Sequence, residues 1–516
     1  MSEHGFSRRH FFFGTLLAGA VPSGGFGSVP SLPALGHKPF SEKLNVAAIG
    51  CGPQGNVDMI AASHTENIVA VCDVDENRAA AAHKRFEKAA QYKDYRVMLD
   101  KESRNIDAVT IAVPDFMHAT VALACMERGK HVYVEKPLTS TAWEARLLRD
   151  AALKYRVATQ MGNQGFSHES IRVTAEMIWS GAIGDVTEVH ISTTPGTHPT
   201  GLQQPAPTAP VPAGLDWDLW QGRTESRPFS DWYVPYNWRG FLDYGTGQIG
   251  NWATHCASPV QFALLLTAPT SVECVNQVGK SDITYPNRGV VRLEFPAREN
   301  MPPVTVYYHD SAQSDDPDAY HVPGMENETI LPRPNNLTEK GRPEGAAARG
   351  IAPSSPAPAP APVLASGGPS RQRTSAGGPG VKVFGGPLSP TRPGILSGNG
   401  AVFIGTKGIL ATCDRGEGVH LLPASRWKDY TLPPELLTRS PGHMADWVRA
   451  CKGGDPSCAD FRITGPFAEW LALVMVTWRV PGKLEWDSRN LRFPNSRDAN
   501  SFVRPHMKKG WELKLS

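Results

Sequence analysis

The part of the sequence that decides the fold reads Val46-Ala47-Ala48-Ile49-Gly50-Cys51-Gly52-Pro53-Gln54-Gly55. A short apolar run leads here into a G-x-G-x-x-G turn, a pattern that predicts a strand followed by the start of a helix. Gly50 would form the tight turn, Gly52 would let the backbone approach a pyrophosphate, and Gly55 would let the helix pack closely on the strand. The free N–H groups at the helix start would then face phosphate oxygens. The stretch therefore predicts a dinucleotide-binding loop.

An acidic residue stands where such a loop requires one. Asp73 directly follows the apolar run Ile68–Cys72, about 20 residues beyond the glycines. Its carboxylate would accept hydrogen bonds from an adenosine ribose and would repel a 2′-phosphate, which favours NAD over NADP. Arg78 follows shortly afterwards and leaves NADP open as an alternative.

Strand and helix patterns alternate from residue 44 to about residue 162, which predicts a doubly wound parallel sheet. The apolar runs expected to form its strands are Val46–Ile49, Ile68–Cys72, Ala108–Val113, His131–Val134 and Val157–Met161. Between them, Ala119–Arg128 and Ala142–Lys154 have helical character. This first half of the chain is therefore predicted to be a Rossmann-type α/β domain.

The pattern changes after about residue 165. Glu169–Trp179 and Phe467–Trp478 predict helices, and strands with one polar face are expected near Val290–Phe295 and Val304–Tyr308. The segment Ala401–Leu410 predicts a hairpin. The C-terminal part is therefore expected to be an α+β domain with an open, mostly antiparallel sheet and helices on one side.

Composition suggests where the domains begin and end. We expect a signal and linker over residues 1–40, a nucleotide-binding domain over 41–165, and a substrate and oligomerisation domain over 166–516. Pro, Gly and Ala dominate residues 345–396, which cannot bury enough apolar surface to offset the entropy lost on ordering. That segment is predicted to be a mobile insertion.

Paired arginines precede a short apolar run near the N-terminus, in Ser7-Arg8-Arg9-His10-Phe11-Phe12 and the following residues 13–20. The pattern resembles a twin-arginine export signal. The resemblance implies export of the folded chain by the twin-arginine machinery, to the periplasm or another exported location. Because a periplasm holds little free NAD, a cofactor enzyme working there is expected to hold its nucleotide tightly.

Charge and apolar patterning exclude several partners. The formal net charge is only +2, so no electrostatic field favours nucleic acid or an anionic membrane. No apolar run has the length of a membrane-spanning helix, and no stable membrane span is predicted. The eight cysteines include no C-x-x-C pair and no His–Cys cluster, so no metal site is predicted.

Two titratable side chains could handle a proton. Lys136 follows the predicted strand His131–Val134, at the edge where open α/β sheets place their ligands. Near a positively charged nicotinamide its pKa should fall, so that it can share a proton with an alcohol. His255 comes four residues after Asn251 in a predicted helix, where both side chains would lie on one face and could address one substrate.

Several segments, taken in order, resemble one family. They are the Gly50–Gly55 loop, Asp73, the segment Val113-Pro114-Asp115-Phe116-Met117-His118, Glu135-Lys136-Pro137 and residues 245–255. The chain resembles the glucose–fructose oxidoreductase, inositol dehydrogenase and rhizopine-catabolism (Gfo/Idh/MocA) family from residue 44 to the C-terminus, apart from the Pro-rich insertion. The resemblance implies that Lys136 faces the nicotinamide and that His255 is an acid/base. It also implies a homodimer or homotetramer.

One position departs from the family pattern. Family members commonly carry Asp where this chain has Asn251, and an amide can hold a hydroxyl but cannot accept a proton. Lys136 and His255 are then the catalytic candidates. Residues assigned to the cofactor are Gly50, Gly52, Pro53, Gln54, Gly55, Asp73, Pro114, Asp115, His118, Glu135, Lys136 and Asn163. Residues assigned to a small carbohydrate-like substrate are Lys136, Gln164, Arg239, Tyr244, Asn251 and His255.

Three functions stay open from the sequence. The first is an exported NAD(P)-dependent oxidoreductase that acts on a secondary hydroxyl or keto group of a sugar, glycoside or cyclitol. The second is a redox-neutral NAD-dependent glycosidase or lyase that works by transient oxidation and elimination; export with a captive cofactor and the amide at Asn251 favour it. The third is a sugar binder without catalysis, which Asn251 permits but an intact Lys136 and His255 disfavour.

Overall fold

A computed structural model describes residues 41–342 and 388–515. The predicted export signal, and residues 345–387 of the predicted insertion, lie outside the described residues. Within the described ranges, no helix is long and apolar enough to cross a membrane.

The first sheet has six parallel strands in the order β3-β2-β1-β4-β5-β6. These are β1 (Asn45–Ile49), β2 (Asn67–Cys72), β3 (Ala90–Tyr92), β4 (Ala108–Ile111), β5 (His131–Glu135) and β6 (Thr159–Gly162). Their helices are α1 (Pro53–Ser63), α2 (Glu76–Arg85), α3 (Tyr95–Glu102), α4 (His118–Glu127) and α5 (Ala142–Tyr155). The central strands are apolar and buried because helices cover both faces of the sheet.

The second sheet has eight strands in the order β13-β12-β11-β7-β10-β9-β8-β14. These are β7 (Val186–Ser192), β8 (Ser271–Val278), β9 (Arg288–Phe295), β10 (Val304–Asp310), β11 (Gly400–Gly405), β12 (Gly408–Cys413), β13 (Gly418–Leu422) and β14 (Lys483–Glu485). Neighbouring strands are antiparallel except β7 and β10, which run parallel. The predicted fold class is confirmed.

Further helices pack around this sheet and join the two domains. They are α6 (Glu169–Trp179), α7 (Trp217–Gln221), α8 (Thr254–Cys256), α9 (Ser258–Ala263), α10 (Ala424–Asp429), α11 (His443–Cys451), α12 (Phe461–Thr477) and α13 (Arg497–Asn500). Short 3-10 turns occupy Asp115–Met117, Gln164–Ser167, Asn237–Gly240 and Asn336–Lys340. Helix α12 packs against α5 of the first domain, so one apolar core runs through both domains.

The other face of the second sheet is covered by the chain on either side of the undescribed segment. Val402, Ile409 and Leu422 point to this face and pack on Val322 and Leu396. The Leu396 N–H donates to the Tyr320 carbonyl over 2.9 Å. Of residues 388–396, which the sequence included in a mobile insertion, Gly394 and Leu396 are buried, whereas residues 388 and 390–393 are exposed. Apolar residues within a Gly- and Pro-rich context supply the burial that composition alone did not reveal.

Candidate active site

A cleft of about 670 Å³ lies at the carboxyl ends of the first sheet's strands, the size of a cofactor site. The glycine loop and Asp73 line one end, and Lys136, Arg239 and Asn251 line the other. Other predicted residues along the cleft are Pro53, Gln54, Pro114, Asp115, His118 and Glu135. Most of the residues assigned to the cofactor from sequence are therefore brought together here.

The glycines of the loop have the geometry that a bound dinucleotide needs. Gly50 has φ +92°, and a Cβ there would lie 2.4 Å from the Ala112 carbonyl oxygen. A Cβ at Gly55 would lie 2.0 Å from the Gly50 carbonyl oxygen, so helix α1 could not pack as it does. A Cβ at Gly52 would meet only the Arg78 Nη1, at 3.8 Å, and otherwise open space. Since no side chain caps the start of α1, its first N–H groups can bind phosphate oxygens.

The Asp73 carboxylate ties the loop to the end of β2. Its Oδ2 accepts the Cys51 N–H over 2.7 Å and its Oδ1 accepts the Asp75 N–H over 2.9 Å. Burial raises the pKa of Asp73. Each oxygen has a further lone pair that can accept a ribose hydroxyl. Arg78 lines the same end of the cleft. These residues fit the adenosine half of a dinucleotide.

Lys136 lies at the other end of the cleft. Its Nζ donates to the Asn251 carbonyl oxygen over 2.9 Å and to Asn251 Oδ1 over 3.3 Å. Burial, and next the positive charge of Arg239, lower the pKa of Lys136 to about 8. An amine with this pKa exchanges a proton readily near neutral pH.

The segment that contains Asn251 and His255 is not the α-helix that the sequence predicted. Ile249–Ala253 is a π-helix, which continues into α8. A π-helix has a wider turn than an α-helix, yet residues four apart still lie near one face, so the difference between Asn251 and His255 is one of burial. Asn251 lines the cleft, whereas His255 is only 3% exposed and does not appear among the residues lining the described cleft.

Asn163 fixes the tautomer of His255. The Asn163 Nδ2 donates to the Thr254 carbonyl over 2.7 Å, so its Oδ1 must face the His255 Nδ1, 3.0 Å away. Because that oxygen can only accept, Nδ1 carries the hydrogen and the neutral ring keeps Nε2 as its proton acceptor. Burial, and next the charge of Lys136, lower the pKa of His255. Asn163, assigned to the cofactor from sequence, instead positions His255.

Glu135 and its neighbours form a polar network beneath Lys136. The Glu135 Oε1 accepts from Gln54 Nε2 over 3.2 Å and from Gln164 Nε2 over 3.3 Å. Gln54 also donates to Asp58 Oδ1 over 3.0 Å. Burial raises the pKa of Glu135 to about 7. Gln164 therefore supports Glu135, and its predicted contact with substrate has no support in this geometry.

Asp115 and His118 are also engaged within the protein. The buried Asp115 carboxylate accepts from Thr246 Oγ1. His118 Nδ1 lies 2.6 Å from the Pro137 carbonyl oxygen and its Nε2 lies 2.9 Å from that of Val113. Burial lowers the pKa of His118. A neutral imidazole has a single N–H, so His118 donates to one of these two carbonyl oxygens and is held within the protein.

Residues 236–244, which precede the π-helix, place some side chains in the cleft wall and others in the core. Arg239 lies in the cleft wall, with its guanidinium 4.2 Å from the ring centroids of both Tyr236 and Trp238. Tyr244 is 0% exposed and packs on Phe116 and other aromatic rings. The cleft lining within the described residues does not include Tyr244, so its assignment to substrate has no support in this structure.

Sequence reasoning missed a segment that crosses the cleft, residues 212–221, here called the crossing segment. The Asp216 N–H donates to the Val74 carbonyl over 2.9 Å, and the Glu76 N–H donates to the Gly214 carbonyl over 3.1 Å. These bonds hold the crossing segment against the edge of the first domain, where Leu215, Leu219 and Trp220 line the cleft. Trp511, near the C-terminus, lines it as well. No sequence motif marks these residues as part of a site.

Arg415 is a second residue that sequence reasoning missed. It follows β12 in a tight turn, and its guanidinium lies 5.5 Å from the ring centroid of Trp252. Its positive charge contributes to the lowered pKa of both Lys136 and His255. Among the residues that the structure describes, no cluster of three or more His, Cys, Asp or Glu side chains could hold a metal ion.

The fold and the cleft define the class of protein, a two-domain dinucleotide-binding protein. Residues 44–163 match the sequence model of the Gfo/Idh/MocA oxidoreductase family for its NAD-binding Rossmann fold. Residues 168–291 match the same family's C-terminal alpha/beta domain. Residues 44–163 and 168–291 therefore match the two domains of this oxidoreductase family, and the first is an NAD-binding domain.

Known proteins are similar over part of the chain. An inositol 2-dehydrogenase from Saccharopolyspora erythraea is 33% identical over 28% of this chain and 44% of its own length. A glycosyl hydrolase family 109 protein from Shewanella pealeana is 28% identical over 35% of this chain and 44% of its own. The chain thus spans under half the length of these two relatives. The WlbA dehydrogenase of Bordetella pertussis, solved with NADH and UDP-GlcNAcA, shares the fold with TM-score 0.52 at 13% identity, covering 86% of this chain and 99% of that one.

Proposed function

We propose that this protein is an NAD-dependent oxidoreductase that acts on a secondary hydroxyl or keto group of a sugar, glycoside or cyclitol. The observation that carries the proposal is the position of Lys136. Its ammonium, with a pKa lowered to about 8, lies in the same cleft as an open glycine loop of an NAD-binding domain. NAD supplies the hydride acceptor when it is bound there.

Residues of the cleft can accept and return the proton of the substrate hydroxyl. Neutral Lys136 accepts the hydroxyl proton of the substrate, and in the reverse direction its ammonium returns that proton. Asn251 holds the amine in place through two hydrogen bonds. His255 keeps Nε2 as an acceptor, since Asn163 occupies Nδ1, but it is buried outside the cleft lining, so Lys136 is the group that meets the substrate hydroxyl. Incubation of the purified protein with NAD and a panel of sugars and cyclitols tests the proposal through absorbance of the reduced cofactor.

A pH profile tests the role of Lys136. In the oxidation direction the rate requires the neutral amine, so it should rise with pH through about 8. Asn251→Asp would place a carboxylate where an amide oxygen now lies 3.3 Å from Nζ. This charge favours the ammonium, so the rising limb should move upward by at least about one pH unit. Asn251→Ser, which adds no charge, serves as control. If the rise of the rate with pH stays at the same pH in Asn251→Asp, that rise belongs to a titratable group other than Lys136.

A redox-neutral glycosidase or lyase is the second candidate. In that reaction the hydride of a ring carbinol would pass to NAD, and loss of the acidified neighbouring proton would expel the leaving group. Water would add to the resulting double bond in a glycosidase but not in a lyase, and the hydride would then return to the ring carbonyl without net redox change. The amide at Asn251 and the crossing segment over the cleft favour it, and one relative carries a glycosyl hydrolase family 109 name. Incubation with nitrophenyl glycosides and no added NAD decides the matter. Many turnovers per bound cofactor would support the glycosidase, and release of one aglycone at most would contradict it.

We further propose that the nucleotide is retained tightly and that the protein is exported and forms a homodimer or homotetramer. The crossing segment supports retention, because Leu215, Leu219 and Trp220 add apolar lining to the cleft proposed to hold the nucleotide. Native mass spectrometry of protein purified without added cofactor should show about one NAD per chain, together with the mass of the assembly. A spectrum of protein without nucleotide would contradict tight retention. Bound NADP would show that Arg78, rather than Asp73, decides which of the two dinucleotides binds.

A further inference from the structure

Arg239 is held in a fixed plane at the lysine end of the cleft. Its guanidinium lies between the rings of Tyr236 and Trp238, 4.2 Å from each centroid. Its one described hydrogen bond is long, 3.4 Å from Nη1 to the Tyr236 carbonyl oxygen. A guanidinium has five N–H donors, so most of its donor edge remains available while its faces are covered. Such a fork matches the two oxygens of a carboxylate or phosphate.

Arg239 and Lys136 form no ion pair with a carboxylate among the described residues, although Glu135 and Asp115 act on Lys136 at longer range. Within the described residues, neither Arg239 nor Lys136 has a carboxylate oxygen at ion-pair distance, although most other arginines do. These two carboxylates accept hydrogen bonds from neutral groups, Asp115 from Thr246 and Glu135 from two glutamine amides. Their charge offsets the surroundings of Lys136 only in part, since burial and Arg239 still lower its pKa. Arg239 and Lys136 both line this cleft, and the charge of Arg239 lowers the pKa of Lys136.

A second buried group near Arg239 lacks a partner. His198 is 1% exposed, and neither of its ring nitrogens has a hydrogen-bond partner in the described structure. Burial, and next the charge of Arg239, lower the pKa of His198 to about 3. Buried polar groups in proteins are almost always satisfied by protein, water or ligand. His198 is neutral and does not itself line the cleft, so the unused donors that face the cleft are those of Arg239.

The cofactor's phosphates have their own place at the opposite end. The glycine loop, the start of α1 and Arg78 lie together there. Arg239 instead lies with Lys136 and Asn251, where the proposed function locates the reacting hydroxyl. The guanidinium of Arg239, which has no ion-pair partner among the described residues, is therefore placed to bind the substrate.

We propose that the substrate is an acidic sugar, a uronate or another sugar with an anionic substituent, whose anionic group binds bidentately to Arg239. This inference rests on the proposed function for the position of the substrate. A neutral sugar would leave the guanidinium without a counterion, whereas an anionic one would neutralise it and receive two parallel N–H bonds. Arg239 is then the specificity residue of the site.

The test is isothermal titration of the full chain, loaded with NAD, with matched sugars. Glucose and galactose are compared with glucuronate and galacturonate, with the corresponding 6-phosphates, and with nitrophenyl glycosides of each acid and neutral form. Wild type is compared with Arg239→Gln, Arg239→Lys and, as a matched control, Arg104→Gln, whose side chain is exposed far from the motif residues. Melting temperature and NAD content of each variant are measured alongside.

At least one acidic sugar should bind ten-fold or more tightly than its neutral counterpart. Arg239→Gln should reduce that preference to less than about three-fold, Arg239→Lys should keep part of it, and Arg104→Gln should keep all of it. A preference confined to uronates assigns a carboxylate, and one confined to phosphates assigns a phosphate.

Three outcomes would overturn the inference. They are equal binding of acidic and neutral sugars, an unchanged preference in Arg239→Gln, and loss of NAD rather than of sugar affinity in that variant. The last would assign Arg239 to the cofactor. If an acidic sugar binds through Arg239 but neither reduces NAD nor releases an aglycone, the inference stands and the proposed function fails.

Discussion

Lys136→Met should lower kcat for hydride transfer by about 10²–10⁴-fold while NAD still binds. Methionine matches the lysine side chain in length and apolar character but has no group that can accept or return a proton. It also loses both hydrogen bonds to Asn251. Stopped-flow absorbance of the reduced cofactor measures the rate, and titration of NAD fluorescence quenching measures cofactor binding separately.

Lys84→Met is the matched control for this variant. Lys84 is exposed on α2, away from the cleft, so its replacement should leave the rate unchanged. Equal rates in Lys136→Met and wild type would remove Lys136 from the mechanism. If neither protein shows any turnover but both bind sugar, the chain is a sugar binder without catalysis.

Two glycines of the loop should respond differently to substitution. Gly52→Val should weaken NAD binding at least ten-fold and leave the melting temperature nearly unchanged, because its side chain would enter open space at the expected pyrophosphate position. Gly55→Ala should destabilise the fold itself by about 1–3 kcal/mol, because its Cβ would lie 2.0 Å from the Gly50 carbonyl oxygen.

Calorimetric melting and NAD titration on the two glycine variants separate these effects. Gly129→Ala is a useful comparison, since a Cβ at Gly129 would meet nothing within 4 Å, although its φ of +69° carries some strain. If Gly52→Val binds NAD as wild type does, the phosphates do not lie over the loop. The cofactor site would then need to be placed elsewhere along the cleft.

Much of the first domain could be predicted because its signals are local. A glycine turn, an acid after the next strand and a lysine after β5 are separated by apolar runs that can only be buried strands. Strand β3 (Ala90–Tyr92) was not predicted, since three residues with a partly exposed pattern give no periodicity. The parallel pairing of β7 with β10 depends on long-range topology, which a strand pattern does not contain.

The candidate site was predicted less completely than the fold. Lys136 and the loop are found from motifs, but the roles of Asn163 and Gln164 depend on which polar partners fold against them. His255 is buried and lies outside the cleft lining that contains Asn251, and sequence spacing cannot distinguish a π-turn from an α-turn. Arg415 comes from a turn more than 150 residues away from both Asn251 and His255, so only the folded structure places its charge beside them.

The segments that cover one face of the second sheet limit how copies of this chain can associate. Tyr320 stacks on His190 of β7, with ring centroids 3.5 Å apart, and Leu396 fills the adjacent apolar surface. Two molecules therefore cannot stack these parts of their sheets against one another while each keeps its own cover in place. A dimer that relied on such stacking would first have to displace residues 320–331 and 395–396 from the sheet. This displacement would expose Val402 and Ile409 to water. Assembly through the opposite rim or through loops carries no such cost.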